Sequence, residues 1–228
     1  MAFFDTLSKE TESARIELLA TPIIERSLRR EISMDDYVGF LVQAYHHVKH
    51  TTPLLMALGA RLPETKEWLR VAVAEYIDEE LGHQEWILND IASCGYDKEF
   101  VRQTRPHAAT ELMVAYAYDM IQRVDPLGLF GMVHVLEGTS INLAERVADA
   151  VRETLGLPKS AFTYLYSHGS LDQQHVQFFK GLMDQIVDEA EQQQIIHGCN
   201  MFYLLYGNIF NSLSPDHGIP LLESQAIA

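Results

Sequence analysis

Basic side chains are scarce. Seventeen Lys and Arg stand against 32 Asp and Glu, a formal net charge of −15. So acidic a chain has no broad basic surface for nucleic acid or an anionic membrane, and neither is expected as a partner. Cysteine is nearly absent. Cys94 and Cys199 form neither a zinc spacing nor a disulfide framework, which makes a reducing, cytoplasmic setting the expectation. No run of about 20 uncharged apolar residues exists to cross a bilayer. The opening Met1-Ala-Phe-Phe-Asp-Thr6 lacks the basic region and apolar run of a signal peptide, so none is expected. Convincing strand alternation, internal repeats and low-complexity segments are also missing. What the chain does have is apolar material. Hydrophobic residues make up 47% and charged residues an ordinary 21% of 228, ample for a buried core and against disorder.

Helical periodicity fills the space that strands would need. A first helix is predicted from Phe3 to Leu19 and a second from Ile23 to Arg30, with Pro22 between them. Ser33-Met-Asp-Asp36 reads as a capping box opening a helix that carries Tyr37, Phe40, Leu41, Ala44 and Tyr45, with Asp36 where Glu or Gln is usual. Pro53 should kink or restart it. Pro63 suits the first position of a long helix from Glu64 to about Ala92, with Gly95 as its stop. Shorter helices follow at Asp97–Gln103 and Glu111–Val124. Asp125-Pro126 begins another long one to Leu155, closed by Gly156. Further helices run from Ser160 to Ile186 and from Glu189 to Leu213. Short connections make neighbours roughly antiparallel. The expectation is one all-α bundle of seven or eight helices over residues 1–213, with a core metal site or pocket and a tail over residues 214–228.

The stretch with the densest chemistry is Ser167-His-Gly-Ser-Leu-Asp-Gln-Gln-His175. On a helix, His168, Asp172 and His175 share one face, because neighbours three and four apart stack. Two imidazoles and a carboxylate suit a transition metal such as iron. The same residues also suit a plain helix start, with a serine cap and Asp172 in the first turn.

Three more constellations bear on the choice. Glu79-Glu80-Leu-Gly-His83 contains Glu-x-x-His, the device by which helical bundles hold paired metals, although Glu79 also lies four residues before His83. Mid-helix Gly82 costs about 1 kcal/mol against alanine, for which a close approach by another element would be one compensation. Glu137 follows a strongly apolar run from Leu127 to Val133 and is expected to point inward. A buried carboxylate there must be paired, hydrogen-bonded or metal-bound. Tyr45-His-His-Val-Lys-His50 offers His46, His47 and His50, but has no acid. With Lys49 among them, these histidines read as substrate-facing, supporting or surface residues. Together, Glu80, His83, Glu137, His168, Asp172 and His175 supply three carboxylates and three imidazoles on three helices, about what two metals with open positions require.

In these motifs the chain resembles the heme-oxygenase-like helical superfamily, which includes TenA-type thiaminases, PqqC-type oxidases and the heme-oxygenase-like diiron oxidases. The resemblance spans roughly residues 10–213 and is sharpest to the diiron branch. Glu79-Glu80-Leu-Gly82-His83 matches the first core helix of that branch, Glu137 the second, and His168-x-x-x-Asp172-x-x-His175 the third. Family members often have a longer gap between the first Glu and its His. The resemblance implies a non-heme iron oxidase or oxygenase with two irons, or manganese in their place, that activates O2 to oxidise a small organic substrate. Glu80, His83, Glu137, His168, Asp172 and His175 would be its ligands, with Glu137 and Asp172 at the reacting centre. A TenA-like hydrolase using Glu137 or Asp172 as acid or base, or a non-catalytic binding protein, is the alternative. Neither Cys94 nor Cys199 matches the TenA nucleophile, and the first histidine, His46, lies too late for a heme-oxygenase proximal ligand. A homodimer through aromatics of the last helix is a further expectation.

Overall fold

A computed structural model describes residues 2–213, and the side chains of all of these but Asn142 and residues 168–174. Twelve α-helices make up the described residues, without a strand among them. In order they are α1 (Phe3–Glu10), α2 (Glu12–Leu19), α3 (Pro22–Leu28), α4 (Met34–Val48), α5 (Thr51–Arg61) and α6 (Glu67–Glu80), then α7 (His83–Ser93), α8 (Lys98–Gln103), α9 (Ala108–Asp119), α10 (Leu129–Leu155), α11 (Thr163–Met183) and α12 (Glu189–Asn211).

Several helix ends fall where side-chain chemistry puts them. Ser33 and Asp36 form the reciprocal capping box, with Asp36 N–H donating to Ser33 Oγ at 3.1 Å and Ser33 N–H to Asp36 Oδ2 at 2.9 Å. Arg26 adds an ion pair to Asp36 at 2.6 Å and ties α3 to the start of α4. Asp97 and Asp188 cap α8 and α12. Gly95 and Gly156 end α7 and α10 with positive φ, 88° and 66°, which glycine adopts without a Cβ penalty.

There are more helices than the seven or eight predicted, in part because two predicted helices are broken. Thr11 interrupts Phe3–Leu19; its backbone leaves the helical region, and its hydroxyl donates back to Leu7 O at 2.8 Å. The chain restarts at Thr51, with Pro53 in the first turn of α5. The predicted Glu64–Ala92 helix begins as a 3-10 turn (Glu64–Lys66) and breaks again at Leu81-Gly82. Gly82 sits at φ 90°, a left-handed conformation, and a Cβ there would meet nothing within 4 Å. Its role is therefore the turn, not the close approach that a straight helix would have required.

Helix α10 runs through the core and packs along α11 and α12, while α5 lies on α6 and α4 on α7. The α10–α12 crossing is close because it is glycine-lined. A Cβ on Gly131 would strike the backbone of Gly198 and Cys199, and one on Gly198 would strike the backbone of Gly128. Asp90, fully buried on α7, fixes the start of α11 by accepting from Thr163 N–H at 3.0 Å and Tyr164 N–H at 2.9 Å. Burial raises its carboxyl above the usual range, and the three donors around it pull the other way. The four orphan N–H groups of a helix start and the positive end of its dipole make this a natural seat for a carboxylate. Among the described residues no single helix is long and apolar enough to cross a membrane.

Candidate metal centre

Between these helices lies a cavity of about 160 Å³. Its walls come from α3, α4, α5, α6, α10, α11 and α12, and are mostly aliphatic and aromatic. Among the described residues no lysine or arginine lines it. Its polar side chains include Tyr76 and Glu80 of α6, Glu137 of α10 and His47 of α4.

Tyr76 is the residue around which the acids gather. It is 2% exposed, and its hydroxyl has no hydrogen-bond partner among the described residues. Burial pushes the phenol well above its ordinary pKa, and the charges of Glu137, Glu79 and Glu80 push it further. Three carboxylates thus act on one buried phenol. The sequence reading missed Tyr76, although it stands three residues before Glu79 and four before Glu80, on the same helical face.

Two imidazoles face these carboxylates. His83 Nδ1 lies 3.1 Å from Glu80 Oε2. The pair spans the Gly82 turn, with Glu80 last in α6 and His83 first in α7, so the predicted i, i+3 helical geometry is replaced by a turn that still brings the two together. His175 of α11 lies 3.2 Å from Glu79 Oε2, and its ring meets Tyr76 edge-on at 6.5 Å between centroids. Sequence left Glu79 and Glu80 as alternatives, and here each faces a different histidine. Glu80 is the more enclosed of the two, its side chain 17% exposed against 48% for Glu79. Glu137 points inward as predicted, with Oε2 buried. The side chains of His168 and Asp172 lie outside the described residues, although their backbone belongs to α11.

The donor chemistry fits an iron ion. Oxygen and imidazole nitrogen are the ligands iron accepts from proteins of this kind. Glu80 and Glu137 on the walls of an apolar cavity without a lysine or arginine, with Glu79 beside them, call for a cation, since like charges in a poorly solvated site repel strongly. Among the described residues, no group of three or more His, Cys, Asp or Glu side chains is arranged to hold a metal. The described donors form two pairs, Glu80 with His83 and Glu79 with His175.

The histidine run of α4 divides. His47, 1% exposed, lines the cavity and packs edge-on against Tyr206. His46 faces away from the acids, with Nε2 3.0 Å from Thr104 Oγ1 and Nδ1 3.2 Å from Lys49 Nζ, while His50 Nδ1 lies 3.2 Å from Tyr118 OH. Burial and the Lys49 charge hold His46 down at about 4. The lysine thus sits where the sequence reading had it, beside a histidine that a cation would avoid. Cys94 and Cys199 do not line the cavity, and burial pushes both thiols up to about 12. Neither is a ready nucleophile, since reactivity follows the thiolate.

The fold has relatives among solved structures. The chain superposes with a TM-score of 0.82 on a domain of unknown function with a heme oxygenase-like fold from Shewanella denitrificans, at 22% identity over 93% of this chain and 92% of that one. A TenA homolog from Pseudomonas syringae gives 0.77 at 11% identity, covering 93% and 92%. Heme oxygenase-1 of the cyanobacterium Synechocystis, solved with heme, gives 0.75 at 11% identity, covering 95% and 94%. A search of curated protein sequences finds no match. The family model described as "Iron-containing redox enzyme" matches residues 38–207, a span that runs from α4 to near the end of α12 and contains every candidate ligand. The chain belongs to this family of iron-containing redox enzymes, within the heme-oxygenase-like superfamily.

Proposed function

We propose that the protein is a non-heme iron oxidase or oxygenase, with two irons, that uses O2 to oxidise a small and largely apolar organic substrate. The observation that carries this reading is the buried Tyr76 hydroxyl at an apolar cavity, without a hydrogen-bond partner among the described residues and under the charges of Glu137, Glu79 and Glu80. Glu80 and His83 would hold one metal, His168 and Asp172 the other, with Glu137 and His175 completing or bridging. Manganese suits the same ligand types. When bound, the metal supplies O2 reduction, chemistry that no side chain performs.

The protein's own residues have the remaining tasks. The aliphatic and aromatic walls bind the substrate body and keep bulk water from the reacting end. Tyr76 has an O–H free to donate to an oxygen of bound substrate or oxidant. Glu137 is placed to hold or accept a proton at Oε2, and His47 presents an imidazole to the cavity from the opposite wall.

A metal-independent hydrolase of the same fold, with Glu137 or Asp172 as acid or base, is the second reading. The TenA homologs among the structural relatives support it at the level of fold. The two thiols, both held protonated by desolvation, count against a cysteine nucleophile. Metal analysis of protein purified without oxygen, joined to O2 uptake by the reduced protein, separates the two. Bound iron that is lost in Glu137→Gln and His175→Ala supports the oxidase. Hydrolysis by a metal-free protein would replace it.

A further inference from the structure

A second cavity, of about 390 Å³, opens on the other side of α10. Its walls come from α1, α2, α10, α11 and α12, and it shares Glu137 with the first cavity. Its composition is different. Arg15 of α2 faces it, half-buried, with Lys9 and Glu12 exposed at the rim. Lys9 and Arg15 thus balance Glu12 and Glu137 on its walls, in a chain of net charge −15.

Two buried polar groups line the interior. Tyr203 of α12 is 2% exposed, and its hydroxyl has no hydrogen-bond partner among the described residues. His134 of α10 is 9% exposed and sits in an aromatic box, 5.8 Å from the ring of Phe4, 5.8 Å from Phe179 and 6.5 Å from Tyr203. The charge of Arg15 reaches both groups. A buried hydroxyl without a partner is costly unless a ligand supplies one. A half-buried arginine, the Tyr203 phenol O–H and an imidazole thus line one aromatic-walled space. Two carboxylates share the walls, Glu12 exposed at the rim one helical turn before Arg15 and Glu137 one turn after His134 on the wall shared with the first cavity, but the charge that reaches His134 and Tyr203 is that of Arg15.

We propose that this cavity is a second binding site, for a small organic carboxylate with an aromatic or apolar body. Arg15 and the Tyr203 hydroxyl hold the head group, and Phe4, Phe179 and His134 enclose the body. An anion there replaces water around Arg15 and satisfies the Tyr203 hydroxyl, and charge-assisted hydrogen bonds of this kind are the strong ones. The site rests on its own residues and stands whether or not the first cavity houses an oxidase.

Isothermal titration of the full-length protein with benzoate tests it, with benzyl alcohol as the uncharged control. Benzoate is expected to bind saturably at one site, and benzyl alcohol at least tenfold more weakly. Arg15→Gln should weaken benzoate at least tenfold, and Tyr203→Phe about threefold to tenfold. Leu143→Phe, which crowds the other cavity, should leave benzoate affinity within twofold. Thermal melts of each variant confirm folding. Absence of saturable binding, affinity unchanged in both Arg15→Gln and Tyr203→Phe, or a loss in Leu143→Phe equal to theirs would each overturn the proposal.

Discussion

Replacing Tyr76 with phenylalanine separates stability from function. The hydroxyl is buried and without a hydrogen-bond partner among the described residues, while the ring packs against Phe178 at 5.5 Å and His175 at 6.5 Å. Tyr76→Phe keeps the ring and removes only the oxygen. A buried hydroxyl without a partner costs about 1–3 kcal/mol, so its removal should stabilise the metal-free protein by about 1 kcal/mol once repacking is allowed for. With a urea slope of about 2 kcal/mol per molar, the midpoint should rise by roughly 0.5 M and the slope should not change. Turnover should move the other way and fall about tenfold, the scale of one lost hydrogen bond to a reacting group. Such opposition between stability and activity is common where a site is built at the expense of packing. Chelator-treated protein serves for the unfolding curves and iron-loaded protein for turnover. A midpoint lowered by more than about 0.5 M would mean that the hydroxyl already makes a stabilising bond, and the account of Tyr76 would fail.

Three further outcomes follow from particular backbone and burial features. Gly82→Ala should cost about 1–2 kcal/mol through its φ of 90° alone, because a Cβ there has open space around it, and it should loosen the Glu80–His83 pair. Urea midpoints and iron content read the two effects, and an unchanged midpoint would contradict the left-handed turn. Gly131→Ala acts through crowding against α12, so a loss of at least about 1–3 kcal/mol is expected, and a neutral result would contradict the close α10–α12 crossing. Stability should also fall in acid. Burial holds the His134 imidazole down at about 4, with Arg15 adding to the effect, against 6.5 for an ordinary histidine. The unfolded chain therefore takes up the proton first. Stability is full above pH 6.5 and declines as the pH drops toward 4, by about 2 kcal/mol at pH 5 from this residue. His46, also held at about 4, works in the same direction. Equal urea midpoints at pH 8 and pH 5 would refute this.

Much of the fold was legible because helix ends are written in local chemistry. Ser33 with Asp36, Asp97, Gly95 and Gly156 each marked an end that the structure keeps. Breaks inside a periodic run were not legible. Thr11 and Gly82 sit within patterns that a straight helix would satisfy, and periodicity cannot tell a helical glycine from a left-handed one. The glycine-lined crossing of α10 and α12 pairs Gly128 and Gly131 with Gly198, residues far apart in sequence, so nothing local announced it.

The candidate centre was legible by residue type more than by geometry. Glu80, Glu137, His83 and His175 line up around one region, but the Glu80–His83 contact is made by a turn and Glu79 finds His175 on another helix. Tyr76 carries no motif, and only its spacing from the two glutamates could have marked it. His134 lies one helical turn before Glu137 and was passed over, because the apolar run around it read as core.

Iron stoichiometry in protein purified without oxygen tests the central claim most directly. Wild-type protein should retain iron at up to two per chain and consume O2 on reduction. Glu137→Gln and His175→Ala should lose most of the metal while keeping their helical content. A folded wild-type protein that binds neither iron nor manganese, with both variants indistinguishable from it, would contradict the account.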